Sequence, residues 1–144
     1  MENRLKSEKI PFGYALCFNE TCQLRESCLH YQAYQLKPAE RLGGPAVYPD
    51  AWKDGQCRSY REAKPVQMAW GFKQLYKNVP HYLRAEARRH VMSYFSGGCG
   101  PYYRYHHGEN LLSPRQQKDV MDILANYGST EGLAFDHYVT AYNF

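Results

Sequence analysis

Apolar residues along this chain recur in three stretches separated by turn residues, and their spacing predicts a mostly helical protein with a small sheet. The first stretch runs to Lys64. After Cys17, the segment TCQLRESCLHYQAYQL puts Leu24, Cys28, Tyr31 and Gln35 or Leu36 near one face, which predicts a helix of about three turns that stops before Pro38. The following RLGGPAVYPDAWKDGQCRSYR is rich in Gly and Pro, and it reads as a loop with one extended piece from Ala46 to Tyr48 before the return to Cys57.

The second stretch begins after Pro65. Met68, Phe72, Leu75 and Tyr76 sit at helical spacing, and after the Asn78-Val79-Pro80 break the pattern resumes with Leu83, Ala87, Val91, Tyr94 and Phe95. SGGCGP ends that second helix, and YYRYHHGENLL reads as a short β-hairpin turning near Gly108. The third stretch opens on a clear helix start: Ser113 as N-cap, Pro114 at the first position and Gln116 closing a capping box. Val120, Ile123, Leu124 and Tyr127 form its apolar stripe, Gly128 closes it, and Phe135, Tyr138, Val139 and Tyr142 predict a final short helix. The expected fold is α+β and mainly helical. A Cys-rich N-terminal lobe spans residues 1–64, and a helix-helix-hairpin-helix lobe, loosely winged-helix-like, spans 65–144; the two also fit one compact domain.

Composition narrows the setting. The 144 residues are 44% hydrophobic and 22% charged, with 14 tyrosines, a globular balance rather than a disordered one. The N-terminus, MENRLKSEKI, has no apolar run followed by a small-residue cleavage site, and no stretch reaches membrane-spanning length, so a cytoplasmic protein without membrane contact is expected. Five cysteines in a reducing compartment read as metal ligands or buried thiols rather than disulfides. The net charge of +4 is modest but unevenly spread. Residues 66–108 hold Lys73, Lys77, Arg84, Arg88, Arg89 and Arg104 against Glu86, while residues 109–144 are acidic.

Cys17, Cys22, Cys28 and Cys57 follow the spacing C-x4-C-x5-C-x28-C, three thiols from one local segment and a fourth from a distant loop. Four thiolates satisfy tetrahedral Zn(II), whose binding energy would substitute for the core that a loop-rich segment lacks; Arg25, Lys53 and Arg58 would offset the negative charge. A 4Fe–4S cluster takes the same four ligands, and the four- and five-residue gaps depart from the short knuckles of common zinc folds. Ordinary buried cysteines are the third possibility. His30, two residues past Cys28, is a candidate replacement ligand.

Arg84 and Arg88 with His81 and Arg89, the neighbouring Lys73 and Lys77, and the Tyr102, Tyr103, Arg104, Tyr105, His106 and His107 run suit a nucleic-acid backbone with bases stacking on tyrosine. The competing interpretation is a solvated polar face. Cys99, His106 and His107 suggest a second metal site or a Cys–His nucleophile, and Glu109, Asp136 and His137 acid–base groups, but no spacing orients them; a tight turn, capping and surface pairing are the simpler readings. No phosphate-binding Gly loop, GxSxG or HExxH is present, and no catalytic residue or small-molecule substrate is expected.

Two patches carry a family likeness: Cys17, Cys22, Arg25, Cys28 and Leu29 with Cys57, and then Gly71-Phe72, Tyr102-Tyr103-Arg104-Tyr105, Gly108-Glu109, Leu112-Ser113-Pro114, Gln117, Phe135-Asp136 and Tyr138. On these residues the chain resembles a bacterial family of domains of unknown function associated with gut commensals. That resemblance implies no activity. The expectation from the residues themselves is a non-enzymatic, metal-binding module of binding or regulatory role, with structural zinc as the first reading and a protein or nucleic-acid partner; the alternatives are a nucleic-acid-binding regulator acting through the basic helices and an iron–sulfur redox or metal sensor.

Overall fold

The computed structural model describes residues 4–144, so Met1 to Asn3, the first residues of the expected Cys-rich lobe and of the stretch read for an export signal, lie outside the described residues. Among the described residues the fold is α+β, with four α-helices and two small antiparallel sheets. The chain divides into two compact units, Met1–Pro65 with Tyr142–Phe144, and Val66–Ala141. Among the described residues, no helix is long and apolar enough to cross a membrane.

The first unit is built from short elements. Helix α1 (Leu29–Leu36) is preceded by a 3-10 turn, Arg25–Ser27, so the helix expected over the whole cysteine segment is reduced to its C-terminal half. Cys28 interrupts it. Its backbone is extended (φ −96°, ψ 125°) and bridges Glu62, while Leu29 N donates to Arg61 O at 2.7 Å; pairing with this distant segment outcompetes helical continuation. Leu16 and Ala46 form a parallel bridge at the start of the expected extended piece. Strands β1 (Trp52–Lys53) and β2 (Gln56–Cys57) then form an antiparallel hairpin with Trp52 opposite Cys57. Its turn is Asp54-Gly55, both at positive φ (54° and 76°), the combination of a two-residue type I′ turn. The buried apolar side chains of this unit are few: Leu5, Leu16, Cys28, Leu29 and Ala33 among the described residues.

The second unit has the larger core, centred on Phe72, Leu75, Val91, Leu112, Val120 and Leu124, each 1% exposed or less. Three expectations are corrected here. Residues 65–70 are strand β3, not helix; the 3-10 helix Lys73–Tyr76 follows only after Gly71. The spacing of Met68, Phe72, Leu75 and Tyr76 fits a helix, yet Ala69 exchanges both backbone hydrogen bonds with Leu112, and a positive φ of 87° at Gly71 breaks the path.

The expected hairpin is helix α3 (Cys99–His106), which follows α2 (Arg84–Tyr94). Tyr102, Tyr105 and His106 lie three and four residues apart, and the core receives them as one helical face, so the tyrosine run is set by that period rather than by β-propensity. With no hairpin between α2 and α4, the helix-helix-hairpin-helix order is replaced by three successive helices. The final expected helix is strand β4 (His137–Tyr142), which pairs with β3; its Tyr, Val and Thr content favours a strand, and its residues are exposed or half-buried, without a helical stripe.

Helix α4 (Pro114–Leu124) forms as its sequence predicts, with Ser113 and Gln116 making both bonds of the capping box. It ends at Leu124, and Gly128 serves instead as a close approach, where a Cβ would stand 2.5 Å from Asn78 O. Gly71 is tighter still in consequence: a Cβ there would sit 2.6 Å from the Asp136 carboxylate in a backbone conformation that L-residues disfavour. Gly71→Ala is therefore expected to lower unfolding free energy by more than about 2 kcal/mol, whereas Gly13→Ala, with open space around it, should stay within ~0.5 kcal/mol in urea titrations of the two variants.

Candidate functional site

The principal site of the first unit is a cavity of about 540 Å³ whose wall includes Cys17, Cys22, Cys28 and Cys57. Each thiol arrives by a different local device. Cys17 follows Leu16 in the bridge to Ala46 and donates its backbone N–H to His30 O at 3.1 Å. Cys22 sits in a turn in which Leu24 N donates to its Sγ at 3.4 Å. Cys28 occupies the N-cap of α1 and is buried. Cys57 is delivered by β2, held opposite Trp52 by the Asp54-Gly55 turn.

The four are free thiols. They share one cavity, but among the described residues no three or more His, Cys, Asp or Glu side chains are grouped so as to hold a metal ion. Arg25 and His30 bring basic groups to the same wall; Arg25 donates to Cys22 O at 3.0 Å and pairs with Glu26 at 3.4 Å. His30 Nδ1 lies 2.7 Å from Ala15 O, so Nδ1 is the donor and Nε2 carries the lone pair of the neutral ring. Its ring stacks on Tyr14 at 4.6 Å. Burial pushes the Tyr14 phenol up to about 12, with Arg61 opposing the rise and Cys28 adding to it. Phe18, Tyr48, Trp52 and Tyr60 line the cavity while remaining partly exposed, which makes an aromatic rim. Cys99 stands apart, exposed at the first position of α3.

A second cavity, about 480 Å³, lies in the second unit and collects seven of the residues expected to contact nucleic acid: Lys73, Lys77, Arg84, Arg88, Tyr102, Tyr103 and His106. Arg89, Arg104 and Tyr105 are not on its wall. Arg89 and Arg104 are exposed elsewhere on α2 and α3, and Tyr105 turns inward to stack on Phe95 at 4.7 Å. The other candidate groups serve the framework. Asp136 accepts from Lys73 N and Gln74 N at 3.0 and 2.9 Å, capping the 3-10 helix, and His137 stacks on Trp70 at 3.9 Å. His106 Nδ1 accepts from Phe72 N at 3.1 Å, which commits that nitrogen to an unprotonated state.

Sequence reasoning found the cysteines and most of the basic residues. It missed Trp52 and the β1–β2 hairpin, although Asp-Gly between extended residues is the strongest short hairpin signal, and it missed the Tyr76–Tyr102 hydroxyl pair (2.9 Å) on the basic cavity's wall. No local pattern predicts that pair.

These features define an α+β protein with a four-cysteine cavity in one unit and a basic, aromatic cavity in the other. The chain belongs to a family of unknown function (DUF6078), whose model matches residues 1–144. No curated protein and no solved structure matches it.

The His106 environment gives a pH dependence with a definite sign. Burial first, then His107 and Arg88, hold its pKa below the ordinary 6.5, while Asp136 opposes them. The unfolded chain then binds this proton at higher pH than the folded one, so stability from His106 is full above about 6.5 and is lost as pH falls toward the folded value. An NMR titration is expected to show the His106 ring titrating below 6.5, with the Phe72 amide resonance moving in the same step.

Proposed function

We propose that this protein is a non-enzymatic metal-binding module, in which Cys17, Cys22, Cys28 and Cys57 hold a thiolate-ligated centre that organises the first unit for a binding or regulatory role. The observation that carries it is the sharing of one cavity by four cysteines spread over forty residues of a unit with few buried apolar side chains. Small loop-rich units ordinarily need a crosslink or a metal to offset their conformational entropy. Free thiols and a backbone N–H aimed at Cys22 Sγ suit metal ligation.

Between Zn(II) and a 4Fe–4S cluster, the four- and five-residue gaps between Cys17, Cys22 and Cys28, longer than the short knuckles of common zinc folds, favour the cluster. Arg25 and, when protonated, His30 supply positive charge against the anionic centre, and the aromatic rim limits access of water.

Protein purified without oxygen is expected to be brown, to absorb in the visible and to contain iron and acid-labile sulfide in equal amounts. Colourless protein with one zinc per chain would replace the cluster by a structural zinc site, and the absence of any bound metal would remove the proposal. Cys22→Ser should abolish the visible absorption and expose the first unit to proteolysis, while Cys99→Ser should retain both metal and stability within ~0.5 kcal/mol of the parent. Equal effects of the two changes would contradict the assignment of Cys22 as a ligand.

A further inference from the structure

The basic cavity of the second unit has a charge arrangement that its own fold does not account for. Lys73, Lys77, Arg84 and Arg88 line a space of about 480 Å³ with no acidic residue on its wall. The ion pairs among the described residues are Arg25–Glu26 and Lys118–Asp122, so none of these four cations has a carboxylate partner. Mutual repulsion of four cations round one concavity is relieved by an anion, and low-dielectric walls focus the field within it.

The wall also positions these groups. Arg84 Nε donates to Val79 O at 3.1 Å, which fixes the guanidinium while leaving its terminal nitrogens available. The Arg88 guanidinium lies over the Tyr76 ring at 5.5 Å, and Tyr76 in turn shares its hydroxyl hydrogen bond with Tyr102. Phe72, Tyr102 and His106 form a parallel stack, with Phe72 and Tyr102 at 4.6 Å. His106, neutral with Nδ1 accepting from Phe72 N, carries its proton on Nε2 and is therefore a donor. Tyr103, 43% exposed, offers a flat face at the edge.

Four cations with hydroxyl and imidazole donors call for several phosphate oxygens, and an exposed ring beside them calls for a planar group. The volume is that of a small-molecule site. Arg89 and Arg104 lie off this wall, so the charge is gathered into a concavity and does not run along a face as a polymer backbone would require. We propose that this cavity binds a soluble nucleoside polyphosphate, its phosphates held by Lys73, Lys77, Arg84 and Arg88 and its base laid against Tyr103. The proposal is independent of the metal centre.

The test is calorimetric titration of the full chain, in its purified metal state, with ADP, inorganic pyrophosphate and a single-stranded oligonucleotide at low salt. ADP is expected to bind at one site, to weaken as salt rises and to shift the His106 ring resonances. Lys73→Gln with Lys77→Gln, two exposed side chains, should weaken ADP at least tenfold while the thermal melt is unchanged. Arg84→Gln with Arg88→Gln should weaken ADP by at least the same factor, with a lower melting temperature because the Val79 and Tyr76 contacts are lost. Tyr103→Ala should weaken ADP several-fold and leave pyrophosphate unaffected. Absence of ADP binding, pyrophosphate binding as tight as ADP, or oligonucleotide binding that ADP fails to displace would each overturn the proposal, the last in favour of a nucleic-acid surface.

Discussion

The constraint on which the first unit turns is conformational entropy set against a small amount of buried apolar surface. Its ordered elements are one two-turn helix, a four-residue-ladder hairpin, isolated bridges and 3-10 turns, and the apolar side chains it buries are Leu5, Leu16, Cys28, Leu29 and Ala33. Meanwhile Phe12, Leu42 and Tyr48 remain more than 70% exposed. A chain segment of this kind does not fix itself by hydrophobic burial alone. The four cysteines bring one residue from each of its separate pieces to a single cavity wall: the Leu16 bridge, the Cys22 turn, the start of α1 and the β1–β2 hairpin. One centre bound to all four would tie each piece to the others, which is why metal ligation and folding are expected to be a single process here.

The second unit depends on a different interaction, the Asp136 carboxylate. It accepts from Lys73 N and Gln74 N, its own N–H donates to Gly71 O at 3.1 Å, and Gly71 N donates to Tyr105 O at 3.1 Å. The carboxylate thereby fastens the start of the 3-10 helix, while the backbone bonds tie the end of β3 to the approach to β4 and to α3. Phe72, fully buried, is set by the same junction against Tyr102 and His106. The junction thus orients the floor of the basic cavity as well as the core, and the requirement for glycine at position 71 follows from the space that Asp136 occupies.

What was legible in the sequence is what depends on local chemistry. Ser113, Pro114 and Gln116 specify a helix start among themselves, and the structure forms it. Leu83, Ala87 and Val91 repeat over enough turns to identify α2. The failures have a common origin in short segments whose apolar spacing fits two periods. Met68 to Tyr76 spans a strand and a 3-10 helix joined at Gly71, and only the distant partners Leu112 and Asp136 decide against a continuous helix. Tyr102 to His106 was ambiguous for the opposite reason: tyrosine favours strands, while packing onto Phe72 and Phe95 selects the helical period. At the candidate sites, residue type identified the four cysteines and the basic cluster. Sequence distance concealed which basic residues share a cavity, since that is fixed by how α2, α3 and the Lys73–Tyr76 turn pack.

The protonation states round the basic cavity sharpen its electrostatics. Burial raises the pKa of both Tyr76 and Tyr102, so their hydroxyls remain neutral donors and acceptors well above physiological pH. Burial lowers that of His106, so it adds no charge near neutrality. Asp136, the nearby carboxylate, spends its acceptor capacity on two backbone N–H groups of the 3-10 helix. Across the neutral range the charge on the cavity wall is that of Lys73, Lys77, Arg84 and Arg88, which the Asp136 carboxylate opposes at His106. Below that range, protonation of His106 would break the bond from Phe72 N while adding a fifth positive charge. An anion in the cavity would favour that second charge state electrostatically, so ligand affinity and the integrity of the Phe72–His106 contact are coupled through one imidazole.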